Sequence, residues 1–231
     1  MRPELLFHKD RIQYQNNVLL SGVSINGKER QKQTNSAFSK KWISFSESDT
    51  KDQNIYNDFQ KDWFLKLYGF SSEKELKDYL SDKQTILDAG AGLAVKTAWL
   101  ASMAPHATVL AVDFSEAIFR AQETQKDYQN MLFVQCDIAD SGILDRTIDC
   151  VICDQVIMHT EDPRKTLQEL SRIVSSNGEI FCYWYRKKAI PRELLDDYFR
   201  NKTLDASFDQ VWQLSEQLTE LGKRLSELDI E

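Results

Sequence analysis

Four aspartates in the middle of this chain each stand where an apolar run ends. Asp88 closes one run and opens the loop Asp88-Ala-Gly90-Ala-Gly92-Leu-Ala94. Asp113-Phe114 follow TVLAV, Asp137-Ile138 follow MLFVQC, and Asp154-Gln155 follow IDCVIC. A carboxylate accepts hydrogen bonds on two oxygens, and glycines let a backbone turn tightly and approach a ligand closely. Acids and a glycine loop at successive strand ends read as a site for a nucleoside with a cationic tail. Asp113 follows Gly92 by about the twenty residues expected of an acid that accepts from ribose hydroxyls. Asp137 would accept from the exocyclic amino group of adenine, a donor on that ring. Phe114 and Ile138 would flank the base, and Asp88 would orient the remaining end, directly or through water. Taken singly, any of these acids could instead be a helix cap or a loop residue.

A dinucleotide is the first rival ligand. Its fingerprint G-x-G-x-x-G/A needs a small last residue so that helix and strand pack closely. Counting from Gly90, that position is the β-branched Val95. Asp88 also stands directly before the loop, where its charge disfavours a pyrophosphate at the following helix N-terminus. S-Adenosylmethionine has an ammonium group for acidic neighbours and no phosphate, so the loop chemistry favours it over a nicotinamide cofactor.

Only a parallel sheet brings such residues to one rim. From residue 85 the chain alternates strand and helix. TILDAG leads to the helix LAVKTAWLASMA, stopped by Pro105, and TVLAVD to SEAIFRAQETQKDY with Ser115 as N-cap. MLFVQCD is a third strand. IDCVICDQVIM is a fourth, followed by PRKTLQELSRIV with Pro163 in its first turn. Asn177–Gly178 then turns the chain into a fifth strand, EIFCYWYR. The expected fold class is α/β: a Rossmann-like, doubly wound, mostly parallel sheet flanked by helices. Ligands bind such sheets at the carboxyl ends of the strands, where strand order reverses.

Residues 85–190 form the cofactor domain in this reading. Ahead of it, residues 1–48 are an extension whose first part is polar, where RIQYQNNVLL and turn signals at Asn16–Asn17 and Asn26–Gly27 suggest a β hairpin. Residues 49–84 are a helical lead-in, with Ile55, Phe59, Trp63 and Leu67 at helical spacing and Ser72 and Glu75 as a capping box. Residues 191–231 read as helices.

Composition narrows the function classes. A net charge of −7 argues against non-specific nucleic-acid binding. Lys40–Lys41 and Arg186–Lys187–Lys188 are either solvated faces or contacts for an anionic substrate. The start, MRPELLFHKD, has no apolar signal-peptide core, and no apolar run suggests a membrane span. A cytoplasmic protein is expected. Cys150 and Cys153 have CxxC spacing, but within a strand they face opposite sides, so buried thiols are expected and no metal site.

Taken together, these segments resemble the class I S-adenosylmethionine-dependent methyltransferases. ILDAGAGLA resembles their first motif, D-x-G-x-G-x-G; AVDFSEAIFRA the second; FVQCDIAD the third; and IDCVICDQVIMHTEDP the fourth. LQELSRIVSSNGEIF resembles the segment leading into the fifth strand, so the likeness runs in family order from about residue 85 to 185. It implies S-adenosylmethionine as cofactor, S-adenosylhomocysteine as product, and cofactor contacts at Asp88, Gly90, Gly92, Asp113, Phe114, Asp137, Ile138, Asp154 and Gln155. Ala94 replaces the third glycine of the motif. Asn177 replaces the first of two glycines in a turn, where Asn also tolerates the left-handed conformation. QKQTNSAFSKKW resembles bacterial methyltransferases with Q-x-x-T-x-x-x-F-x-x-x-W ahead of the core. This implies that Phe38 and Trp42 cover the pocket, unless they merely anchor an irregular segment. RKKAIPRELLDDYFR and LTELGKRLSEL resemble the helical region after the family's fifth strand.

Methyl transfer needs a general base only if the acceptor holds a proton at working pH. His159 is the candidate base; its alternative is a capping or packing role. Tyr183 and Tyr185 share one face of the last strand and Trp184 the other, to meet an acceptor or to pack. The family's sheet ends in an antiparallel hairpin beside the fifth strand, and nothing after residue 190 resembles it. The expectation is a truncated portion of a longer protein, or terminal helices that cover the open edge. The expected activity is methyl transfer to a small-molecule, lipid-like or glycan-precursor acceptor. The rivals are a non-catalytic cofactor-binding module and a nicotinamide-dependent oxidoreductase. No motif identifies the acceptor or the oligomeric state.

Overall fold

The computed structural model describes residues 5–22, 29–47, 50–186 and 189–228, and divides into two units, Met1–Tyr185 and Arg186–Glu231. The first unit opens with a hairpin. β1 (Ile12–Gln15) and β2 (Val18–Ser21) pair antiparallel. The two-residue turn falls on Asn16 and Asn17, with φ of 49° and 61°, the left-handed pair that suits the twist of a tight hairpin and that asparagine tolerates. The other expected turn, Asn26–Gly27, lies outside the described residues. Sequence polarity understated this region: Leu6, Phe7, Val18, Leu19 and Leu20 are all buried.

Three helices follow: α1 (Glu29–Ser46), α2 (Thr50–Tyr68) and α3 (Glu73–Leu80). The segment with Phe38 and Trp42 is therefore regular helix, and their four-residue spacing puts both on one face. In α2 the expected apolar stripe is displaced. Ile55 and Phe59 are 60% and 59% exposed, whereas Phe64 is 1% exposed. Phe64 is buried because the Trp99 ring meets it edge-on at 5.8 Å. At α3 only half of the capping box forms. The Ser72 hydroxyl accepts from the Glu75 N–H at 3.3 Å, but the Glu75 carboxylate takes the Ser71 N–H and hydroxyl instead.

The α/β core then runs β3 (Thr85–Ala89), α4 (Val95–Met103), β4 (Thr108–Asp113), α5 (Ala117–Thr124), β5 (Met131–Gln135), β6 (Ile148–Asp154), α6 (Pro163–Ile173) and β7 (Val174–Tyr183). The sheet order is β1-β2-β5-β4-β3-β6-β7, and every neighbouring pair except β1–β2 is parallel. From β3 the chain steps outward through β4 to β5, then returns to lay β6 and β7 on the other side. Strand order thus reverses beside β3, the place where open α/β sheets bind ligands. The hairpin extends the β5 edge through β2, and β7 is the strand at the opposite edge.

Strand alternation divides the core into layers. Leu87, Val151 and Cys153 join one cluster with Leu110, Val134 and Leu170. Ile86, Cys150 and Ile152 join the other with Phe64, Leu76 and Leu100. Cys150 and Cys153 therefore face opposite layers, and all four cysteines are unpaired.

Two junctions differ from the sequence reading. α5 begins at Ala117, and no Ser115 side-chain cap forms; the Ser115 N–H is instead held by Asp113 Oδ1 at 2.8 Å. β7 runs straight through Asn177–Gly178, and neither residue has positive φ. The register shifts between Ile148 and Cys150, so the extra residues of β7 bulge rather than turn. Glycine is required at 178 by proximity: a Cβ there would lie 2.9 Å from the carbonyl oxygens of Ile148 and Asp149.

The second unit holds α7 (Ile190–Lys202) and α8 (Phe208–Ser226), the latter opened by a full capping box between Ser207 and Gln210. Among the described residues no helix is long and apolar enough to cross a membrane.

Candidate cofactor and acceptor site

One cavity lies over the carboxyl ends of β3, β4, β5 and β6, closed by residues of α1 and α2. Its floor is the glycine loop. The Gly90 and Ala91 N–H groups donate to the Val112 carbonyl at 2.7 and 2.9 Å, tying the loop to β4. Gly90 has φ of 82°, and a Cβ there would come within 2.4 Å of Val156. Gly92 has φ of 55°, and a Cβ there would meet the Trp42 ring at 2.9 Å. Ala94 keeps the backbone of the glycine it replaces: φ 55°, ψ 25°, fully buried. For an L-residue that conformation costs about 1–2 kcal/mol.

Asp113 braces this loop. Its Oδ2 accepts from the Gly92 N–H at 2.7 Å and its Oδ1 from the Ser115 N–H at 2.8 Å. Burial raises its pKa, and the bonds from Ser115 and Gly92 oppose that rise. Asp137 Oδ1 accepts from the Ala139 N–H at 2.9 Å, a turn-forming bond. Phe114 and Ile138 both line the cavity, as do Asp113, Asp137, Asp154 and Gln155. Gln155 ends β6 by entering the left-handed region at φ 61°.

Asp88 and Gly92 are not in the cavity wall; they sit behind it. Asp88 is fully buried. The Thr97 hydroxyl donates to its Oδ2 at 2.7 Å, and Lys96 Nζ lies 3.2 Å from its Oδ1. Lys96 Nζ is also 3.8 Å from Asp154 Oδ2, while the Tyr68 hydroxyl donates to Asp154 Oδ1 at 3.4 Å. Burial pushes the Lys96 ammonium down, but the two aspartates outweigh it and its pKa is raised. Burial raises Asp154, with Lys96 opposing.

His159 lies in the short 3-10 turn Ile157–His159 and lines the cavity. Its ring meets Phe38 edge-on at 5.0 Å and Tyr185 at 6.2 Å. Burial, and then the charge of Lys41, lowers its pKa. β7 ends at Tyr183, so Trp184 and Tyr185 lie beyond it. Both are about half exposed, and Tyr185 reaches the cavity rather than the core.

The residues present suit an adenosine with a charged tail. Ser115 Oγ lines the cavity buried and without a hydrogen-bond partner. Buried polar atoms are rarely left unpaired without a reason. Sequence reasoning missed Ser115, Tyr56 and Lys96 as lining residues, while Lys41 was offered with Lys40 as either a solvated face or a contact for an anionic substrate. Lys96 carried a signal: it is the only charged residue in α4 and stands in the first turn, where the helix dipole disfavours a cation. Nothing comparable marked Tyr56.

Residues 87–182 match the family model described as a methyltransferase domain. Demethylmenaquinone methyltransferase of Clavibacter sepedonicus is 29% identical over 109 residues, 47% of this chain and 44% of that protein. Malonyl-[acyl-carrier protein] O-methyltransferase of Bacillus anthracis is 26% identical over 93 residues, 40% of this chain and 34% of that protein. The chain spans 25% to 48% of the length of the curated relatives it matches. Among solved structures, a SAM dependent methyltransferase from Aquifex aeolicus aligns at 25% identity with a TM-score of 0.44, over 52% of this chain and 69% of the other. Over residues 87–182 the chain is similar to methyltransferase domains, the likeness that its strand-end motifs led one to expect.

Proposed function

We propose that this chain transfers a methyl group from S-adenosylmethionine to a small-molecule acceptor, of the lipid-like or glycan-precursor kind. The observation that carries the reading is the convergence of four successive strand-end loops on one cavity, with Asp113, Asp137 and Asp154 all in its wall. Each Asp113 oxygen already accepts one N–H, and a second lone pair on each remains for the ribose hydroxyls. Phe114 and Ile138 would flank the adenine, and Asp137 would accept from its amino group. Asp154, with Asp88 behind it, would attract the ammonium of the amino-acid end. When bound, the cofactor supplies a methyl group on positively charged sulfur, so alignment of the acceptor carries much of the rate. His159, held neutral by its surroundings, would accept the acceptor's proton where it has one. Phe38 and Trp42 would exclude water from above. Four unpaired cysteines support a reducing compartment such as the cytoplasm.

Thermal denaturation with S-adenosylhomocysteine and with NAD tests this. At about one hundred times Kd a true ligand adds about 2.7 kcal/mol, which for a domain of this size raises Tm by about 5–10 °C. Asp113→Asn presents an amide where a loop N–H must be accepted, and should weaken S-adenosylhomocysteine by tenfold or more. A shift with NAD alone overturns the reading. Binding without transfer to any acceptor would leave a cofactor-binding module.

A further inference from the structure

The cavity is chemically two-sided. Its three lining carboxylates, Asp113, Asp137 and Asp154, all come from strand ends, where Lys96 lies 3.8 Å from Asp154 and 3.2 Å from Asp88 behind the wall. The wall formed by α1 and α2 contributes no carboxylate. It brings Lys41 and Lys61, with several aromatic rings, into the cavity that His159 also lines. Lys61 is paired with Asp58 at 3.6 Å. Lys41 has no ion-pair partner among the described residues. Its ammonium lies 4.8 Å from the Trp42 ring centroid and 5.6 Å from that of Phe38. The other face of this arrangement is His159, whose ring packs on the same Phe38.

Accepting the methyltransferase reading, on which this rests, we infer that the acceptor is a carboxylate on a flat, apolar body, and that Lys41 recognises the anion. Rings hold a cation only modestly, by about 0.5–2 kcal/mol. An anion would add charge-assisted hydrogen bonds, roughly twice as strong as neutral ones. Lys41 is exposed enough overall for a ligand to reach it, yet burial lowers its pKa with no carboxylate to oppose the effect. An anion placed there would oppose that effect. One unpaired ammonium matches a monoanion; a phosphate dianion would call for a second free cation, and Lys61 is already paired. Phe38, Trp42, Phe45, Tyr56 and Tyr185 supply flat apolar walls for the body of the acceptor. The opposite arrangement, a cationic or neutral acceptor, would leave Lys41 either repelled or idle.

The test compares benzoate with benzamide, and 4-hydroxybenzoate with its amide, by calorimetric titration of the full chain with and without saturating S-adenosylhomocysteine. The acids should bind at least tenfold more tightly than their amides. Lys41→Gln should abolish that preference while S-adenosylhomocysteine affinity stays within twofold, and Lys41→Arg should retain it. Lys40→Gln, the same charge change one residue away, should also retain it. Equal affinity for acid and amide in the unaltered protein, or a preference that survives in Lys41→Gln, overturns the inference. Failure of S-adenosylhomocysteine to bind overturns the methyltransferase reading instead, and the acid-to-amide ratio without it still decides the role of Lys41.

Discussion

Replacing Lys96 with methionine probes the charge cluster beneath the cavity. Its ammonium is 3.2 Å from a fully buried Asp88 oxygen and 3.8 Å from Asp154. At an effective dielectric constant of about 20 the nearer contact amounts to about 5 kcal/mol before desolvation. Removing one member of a buried pair costs about 3–5 kcal/mol, largely because the other charge is stranded. The Lys96 side chain keeps 22% exposure, so the lower end is appropriate, about 3 kcal/mol. At about 2–4 °C per kcal/mol for a domain of this size, Lys96→Met should lower Tm by about 6–12 °C. Asp154→Asn in that background should recover part of the loss, because it removes one stranded charge.

The same cluster gives a pH signature. Burial raises the Asp154 carboxyl above 3.8 in the folded protein, with Lys96 opposing, so loss of Lys96 raises it further. A raised folded pKa contributes stability that is present below the unfolded value and lost as pH rises through the folded one. The Lys96→Met deficit should therefore shrink on going from about pH 8 to about pH 5. Thermal melts across that range read it directly. A deficit under about 1 kcal/mol, or one unaffected by both Asp154→Asn and pH, would refute the coupling of these three residues.

Other perturbations test the loop, the histidine and the edge strand. Gly90→Ala puts a Cβ 2.4 Å from Val156 at φ 82°; with about 1–2 kcal/mol of left-handed strain it should cut S-adenosylhomocysteine affinity by more than tenfold, and Val156→Ala should restore the steric part in titrations of the double variant. His159 has a folded pKa below 6.5, so it contributes stability that is present above 6.5 and lost as pH falls through the folded value; Tm should decline from about pH 7 to about pH 5, and His159→Gln should flatten that slope. Gly178→Ala, with carbonyl oxygens 2.9 Å from the new Cβ, should cost about 1–3 kcal/mol by urea denaturation. Asn177→Gly should bring no gain there, since position 177 does not use the left-handed region.

The parallel sheet was legible because its signal is local: each buried strand is a short apolar run, and each strand-end acid is read beside it. The same locality made Asn16–Asn17 readable as a turn. Asn177–Gly178 carried the same signal and meant something else. Its glycine is fixed by the neighbouring strand β6, whose carbonyls leave no room for a Cβ, and no window of sequence shows that neighbour. The helical spacing of α2 was legible too, but which of its apolar residues is buried was not, for a related reason. Ile55 and Phe64 are comparably apolar, and which is buried depends on where Trp99 of α4 stands.

The cavity extends this argument from packing to function. Strand-end residues sit where topology alone puts them, so Asp113, Phe114, Asp137, Ile138, Asp154 and Gln155 could be named from motif order. The opposite wall arrives from two helices upstream, one of them carrying the Trp42 that closes over Gly92. The i, i+4 spacing of Phe38 and Trp42 states only that they share a face, not what that face meets. Lys41 lies one residue before Trp42 and was read with Lys40 as either a solvated face or a contact for an anionic substrate. Its significance comes from what surrounds it: two rings, no carboxylate, and His159 on the far side of Phe38. A scaffold type can thus be read from its strand ends, while the chemistry of what it accepts depends on side chains that only the fold assembles.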